Sequence, residues 1–173
     1  LCEEGALQIP ISGELDAPTK TVRIIRAHLE EDAGKLMHEA PGGAPIDHSI
    51  VDLNRAGTPL LEIVTYPEIE SPDEAVMFGQ VLRNICRTLN VTEGDMQKGH
   101  MRFEPNVNLH ITRDSRIYKT PITEVKNLNS FRSLERLDSA RDRCRSEHSM
   151  ELAVDLMHLS VSIGVIRVGR LLG

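Results

Sequence analysis

The stretch VDLNRAGTPLLEIVTYPEIESPDEAVMFGQVLRNICRTLN, residues 51–90, decides the fold of this chain. It opens on two short apolar runs, 49–53 and 60–65, separated by Asn54-Arg55-Ala56-Gly57-Thr58-Pro59. Apolar runs bounded by Asn, Gly and Pro read as strand, turn, strand. Ser71 then supplies an N-cap, Pro72 the first helical position and Glu74 the last member of a capping box. Val76, Phe78, Val81, Leu82, Ile85, Cys86 and Leu89 follow as an apolar stripe at helical spacing, closed by Asn90 and Gly94.

The flanks repeat the strand pattern. Residues 5–15 and 19–29 are rich in β-branched side chains and read as two strands joined at Asp16–Pro18, with Val22 and Ile24 facing opposite to Arg23 and Ile25. HLEEDAGK (28–35) sets one imidazole and three consecutive acids before a small-residue turn and a lysine. Residues 38–50 hold two Pro and two Gly and are expected to form a loop. Met101 to Ile111 alternates as a strand, Arg113-Asp114-Ser115 makes a hairpin turn, and Tyr118 to Val125 returns, with Pro121 marking an edge or a bulge. Residues 126–130 link to a second helix capped by Ser130, with Phe131, Leu134 and Leu137 inward. Residues 146–173 read as a helix followed by a short strand, or as a tail unrelated to the rest. Hairpins with two inserted helices predict an α+β fold, mostly antiparallel sheet.

Composition narrows the function. Three cysteines among 173 residues, at 2, 86 and 144, make neither a disulfide scaffold nor a CxxC metal knuckle, and a reducing compartment is the simplest account. No secretory leader and no membrane span are expected, since no cationic start precedes an apolar run and no uninterrupted apolar stretch is long enough. With no Trp, 2 Tyr and 3 Phe, the chain is poor in base-stacking side chains. Its formal net charge of −6 is unevenly spread: acids dominate up to Met101, bases from Arg102 to Arg145. Such a split is either surface scatter with a basic helix, or carboxylates set around cations beside a face for something anionic.

No GxxxxGK[ST], GxGxxG, GxSxG or HExxH motif is present, and the seven His show no zinc spacing. What remains is carboxylate-rich: Glu31 after a strand, Glu62 inside LLEIV, Glu104 inside MRFEPNVN and Glu124 inside TEVKN. Acids within apolar strand-like runs are costly unless paired with Arg or Lys or bound to a metal. Hard oxygen ligands on neighbouring strands suit Mg2+, which in turn suits nucleotide phosphates. Lys35, Arg55, Arg102 and Lys126 are the cations at hand for those phosphates. Asn106 and Asn108, and Asn127 and Asn129, are spaced to share a face if extended, or serve turns and caps.

The strings HLEEDAGK (28–35), VDLNRAGTPLLEIVTYPEIESPDEA (51–75), GDMQKGHMRFEPNVNL (94–109) and ITEVKNLNSFRSLER (122–136) resemble the B subunit of the glutamyl/aspartyl-tRNA amidotransferase, the GatB/GatE family. The resemblance runs in order over residues 1–136 and implies part of a catalytic cradle domain related to the glutamine synthetase fold. Residues 137–173 have no counterpart in it. It implies a carbon–nitrogen ligase component with glutamine as amide donor. In that family ATP phosphorylates the side-chain carboxylate of Glu-tRNA(Gln) or Asp-tRNA(Asn), and ammonia that the A subunit releases then displaces the phosphate. Mg2+ and ATP are the implied cofactor and co-substrate. The A and C subunits of the amidotransferase and the mischarged tRNA are the implied partners, with neither membrane nor DNA. A cytoplasmic setting, or an organelle matrix in a eukaryote, is the implied location. By the same resemblance Glu31, Glu62, Glu104 and Glu124 are expected at the metal and the reacting groups, with His28, Lys35, Arg102 and Lys126 touching phosphate or substrate. Glu104 stands where the family usually has Asp, Phe103 where Cys is frequent and Pro105 where Ala is usual. The family's opening strand, like IGLEVHVEL, has no counterpart, so a middle segment not competent alone is expected. The alternative is a catalytically dead module that keeps only the surface binding the A subunit.

Overall fold

A computed structural model describes residues 2–11, 16–113, 115–126, 128–136 and 153–167. β1 (Cys2–Pro10) and β2 (Thr19–Glu31) pair antiparallel, with Leu7 opposite Val22 and Cys2 opposite Ala27. The first strand therefore ends at Pro10, earlier than expected. β5 (Pro59–Thr65) lies on the other side of β2, with His28 opposite Glu62 and Glu31 opposite Pro59. β6 (Glu104–Arg113) pairs with β7 (Arg116–Lys119) and with the short β8 (Thr123–Glu124). The single returning strand expected from Tyr118 to Val125 is thus broken around Pro121, which has no N–H to give a ladder.

β9 (Ala153–Arg167) corrects the helix expected at the start of the last segment: over these residues the chain is one strand, set between β5 and β6. Each of those two strands otherwise presents an open row of backbone N–H and C=O groups. β9 pairs with both rows, which a helix over the same residues would leave open. The seven-stranded sheet runs β1-β2-β5-β9-β6-β7, with β8 on β6, and every pairing is antiparallel.

The expected loop over 38–50 is a second correction. β3 (Lys35–Glu39) and β4 (Pro45–Asp52) form a two-stranded sheet of their own. Pro41, Gly42 and Gly43 fall in the turn, where Ala40 N–H donates to the Ala44 carbonyl at 2.8 Å, and Pro45 opens β4. The signal was weak because most of these strand residues are exposed, so no apolar alternation marks them. Gly34 lets β3 begin: its φ is +91°, and a β-carbon would stand 2.7 Å from the Asp52 carbonyl oxygen.

α1 (Pro72–Thr88) follows the expected signals, with Ser71 Oγ accepting from the Glu74 N–H at 3.1 Å. The return arm of the capping box goes one residue further back, where Glu74 Oε2 accepts from the Glu70 N–H at 2.8 Å. Lys20 on β2 pins that end, its Nζ 2.9 Å from Glu74 Oε2 and 3.2 Å from Glu70 Oε2. α2 (Phe131–Glu135) is capped by Ser130. Ile9, Val22 and Ile63 of the sheet, Phe78 and Leu82 of α1, Phe103 and Leu109 around β6, and Leu134 of α2 form one buried cluster. One face of the sheet is therefore covered and apolar; the other carries Arg26, His28, Glu30 and Glu62, together with Leu60, which is buried.

Candidate functional site

Pleating decides which charged residues meet. His28 and Glu62 are register partners, so they share a face, and Glu30 lies on that face two residues along β2. Ligand atoms of His28, Glu30 and Glu62 all lie within 4.8 Å of one another. His28 Nε2 stands 3.7 Å from Glu30 Oε1, and Arg26 Nη2 donates to Glu62 Oε2 at 3.0 Å. Glu62 is the most sheltered of the three, its side chain 23% exposed. The face is the one opposite Ile63, whose neighbours belong to the core.

Glu31 is one residue beyond Glu30 and so falls on the other face, exposed at the end of β2. Its place beside Glu62 is taken by Glu30, which the sequence reasoning passed over. The signal was there: His28 and Glu30 are spaced i, i+2 in a strand, as a shared face requires. Glu104 does share the face of Glu62, since Val64 and Glu104 both pair with Ser162. Glu124 joins it as the partner of Asn106. Neither approaches Glu62 closely, because β9 separates β5 from β6 and two strand spacings amount to roughly 9–10 Å. The four acids are therefore distributed along the sheet and do not converge on one point.

The cations regroup as well. Lys126 sits 3.2 Å from Glu124, two residues away. Lys35, Arg55 and Arg102 line a single cleft of about 480 Å³ together with Lys98 and Asn129. Local bonds bring the first two together. Asp32 N–H donates to Thr58 O and Gly57 N–H to Asp32 O, both at 2.9 Å, so HLEEDAGK is laid against the turn that carries Arg55. Lys98 was not singled out in the sequence, where nothing but its neighbouring glycine distinguishes it. Asn127, Leu137 and Cys144 lie outside the described residues.

This arrangement sets an acid-and-imidazole cluster on an open sheet face and a cation-lined cleft among the turns at one end of the sheet. A family model described as the GatB/GatE catalytic domain matches residues 1–147 of the chain. The chain belongs to the GatB/GatE catalytic domain family.

Within that family the chain is similar to proteins named as the B subunit of aspartyl/glutamyl-tRNA(Asn/Gln) amidotransferase. The Treponema denticola protein is 40% identical over 153 residues, 88% of this chain and 29% of the relative. That of Thermotoga maritima is 48% identical over 136 residues, 79% of this chain and 27% of the relative. Campylobacter curvus has one 47% identical over 136 residues, 79% of this chain and 26% of its own length. The chain thus spans less than a third of the length of these relatives. Among the described residues no helix is long and apolar enough to cross a membrane.

Proposed function

We propose that this GatB/GatE domain activates the side-chain carboxylate of a glutamate or aspartate esterified to tRNA(Gln) or tRNA(Asn). A carboxylate oxygen attacks the γ-phosphorus of ATP, the bond to the β-phosphate oxygen breaks, and ADP leaves. Ammonia then adds to the acyl phosphate carbonyl and expels inorganic phosphate, giving Gln-tRNA(Gln) or Asn-tRNA(Asn). The amidotransferase's A subunit as ammonia source and its C subunit as companion belong to the same proposal, as does a cytoplasmic or organelle-matrix setting. A kinship with the glutamine synthetase fold suits the antiparallel sheet with α1 packed on one of its faces.

The observation that carries the reading is the cluster of Arg26, His28, Glu30 and Glu62 on that open face. Two carboxylates and an imidazole nitrogen this close fit a divalent cation, and the oxygen-rich share suits Mg2+. Bound there, Mg2+ supplies charge neutralisation for phosphate oxygens. Arg26 anchors the Glu62 carboxylate, its Nη2 donating to Glu62 Oε2 at 3.0 Å. Glu104, Glu124 and Lys126 lie along the same face for a substrate that spans it. A dead interaction module would have no need of such a cluster.

The test uses the assembled amidotransferase carrying this domain in its B subunit. Glu62→Gln and His28→Ala should each lower ATP hydrolysis driven by mischarged tRNA by roughly 100-fold, about 2.7 kcal/mol of transition-state stabilisation. Glutaminase activity, read alongside, should persist and show that the assembly is intact. Unchanged tRNA-driven ATP hydrolysis in both variants would refute the assignment.

A further inference from the structure

Half-buried carboxylates in this fold come with partners. Glu62 has Arg26 at 3.0 Å, Glu74 has Lys20 at 2.9 Å and Asp95 has Lys98 at 3.3 Å, while Asp52 accepts from the Asn54 N–H at 2.9 Å. Glu104 breaks the rule. It is half-buried, and among the described residues its carboxylate has neither a hydrogen bond nor an ion pair. Its strand is firmly placed, because Phe103 and Pro105 on either side of it are buried. That packing leaves Glu104 on the opposite face, the one that carries Glu62. A carboxylate partly withdrawn from water without a counter-charge is costly, and a cation arriving from outside removes the cost. A metal ion wants several ligands at once, and Glu104 belongs to no group of three metal-ligating side chains among the described residues. An organic ammonium needs less: one carboxylate gives it a charge-assisted hydrogen bond. Asn106, two residues on and also half-buried, offers an amide oxygen on the same face.

We infer that Glu104 binds the α-ammonium group of the esterified glutamate or aspartate, and so turns the side-chain carboxylate of that amino acid toward His28, Glu30 and Glu62. The substrate's identity rests on the function proposed above; the demand for a cation rests on Glu104 itself. An amino acid held by its α-carboxyl in an ester keeps a single positive charge, the α-ammonium, and a single free carboxylate. The two stand four bonds apart in glutamate, about 5 Å when extended at roughly 1.5 Å per bond. Glu62 and Glu104 lie two strands apart across the sheet and two residues apart along it, roughly 11–12 Å between backbones. Their side chains enter that interval from both ends, and the amino acid fits between them with its carboxylate toward Glu62. Glu124 is one strand further away and already has Lys126 at 3.2 Å. A site built on this contact rejects an ester that lacks the ammonium, since Glu104 is then left without its counter-charge.

The test compares two esters of tRNA(Gln) on the assembled amidotransferase carrying this domain. One bears glutamate; the other bears glutarate, which has a hydrogen where glutamate has its ammonium. In the wild type, kcat/KM for ester-driven ATP hydrolysis should be about tenfold higher with glutamate, as one charged hydrogen bond provides. In Glu104→Gln the ratio should fall to about one, through loss on the glutamate ester alone. The Mg2+ concentration for half-maximal hydrolysis should stay unchanged, and glutaminase activity should confirm that the variant is assembled. A wild type that uses both esters alike overturns the inference, as does a Glu104→Gln variant that keeps the ratio. So does a raised Mg2+ requirement with the ratio intact, which would make Glu104 a metal ligand. If the ratio persists while Glu62→Gln abolishes tRNA-driven hydrolysis, the role of Glu104 is wrong and the function stands. If the ratio collapses while Glu62→Gln is without effect, Glu104 reads the ammonium and the assignment of the cluster fails.

Discussion

Gly79→Ala separates the packing described above from ordinary helix behaviour, because the two give opposite signs. Gly79 lies inside α1, where Phe103 and Phe131 close on the helix. A β-carbon there would stand 2.7 Å from Phe103 Cζ, 2.9 Å from Phe103 Cε1 and 2.9 Å from Phe131 Cε1. Carbon atoms rest at about 3.5–4.0 Å, so ring or helix must yield by roughly 1 Å. Neither ring can do so freely: Phe103 is fully buried, and the two rings pack with centroids 5.7 Å apart at 47°. On helix propensity alone, Ala for Gly adds about 1 kcal/mol of stability. Overpacking costs ~1–3 kcal/mol, and two obstructed rings place this site in the upper part of that range. The net expectation is a loss of about 1–2 kcal/mol, a fall in Tm of roughly 2–8 °C for a chain of this size. Urea denaturation followed by circular dichroism measures it. Phe103→Leu in the Gly79→Ala background should recover part of the loss, with a coupling above about 0.5 kcal/mol. A Tm raised by Gly79→Ala, with no coupling to Phe103, would refute the packing.

Two further outcomes follow from local structure. Ser71→Ala removes the acceptor of the Glu74 N–H and should cost about 1 kcal/mol, read as a lower urea midpoint. The Arg23 side chain, assisted by the Arg23 backbone N–H, holds the Glu68 carboxyl below its ordinary range. A depressed folded value gives stability that is present above the unfolded carboxyl value, about 4.3, and is lost as pH falls through the folded one. Urea midpoints should therefore fall more steeply below about pH 4 in the wild type than in Glu68→Gln; parallel curves would show that the pair contributes nothing.

The features legible in the sequence are those a few consecutive residues determine. Ser71, Pro72 and Glu74 announced α1 because a helix start is satisfied by its own first turn. Asn90, with φ +54°, ended it for the same local reason. β2 showed in its β-branched residues, β5 as an apolar run bounded by turn residues and β6 in its alternation, and the long strings from His28 to Arg136 were specific enough to point to the family. Tertiary structure alone decided what depends on neighbours distant in the chain. The β3–β4 hairpin escaped notice because its exposed residues carry no apolar period. β9 is a strand because β5 and β6 each need a backbone partner, a requirement that no local pattern records. Among the acids, composition could say that carboxylates gather in these strands. The pleat chose Glu30 over Glu31 beside Glu62, since one residue along a strand reverses the face. The sequence determined which charged side chains exist and on which elements they ride. Register and strand order, set by hydrogen bonds between distant segments, decided that His28, Glu30 and Glu62 meet on the sheet while Lys35, Arg55, Lys98 and Arg102 meet in a cleft.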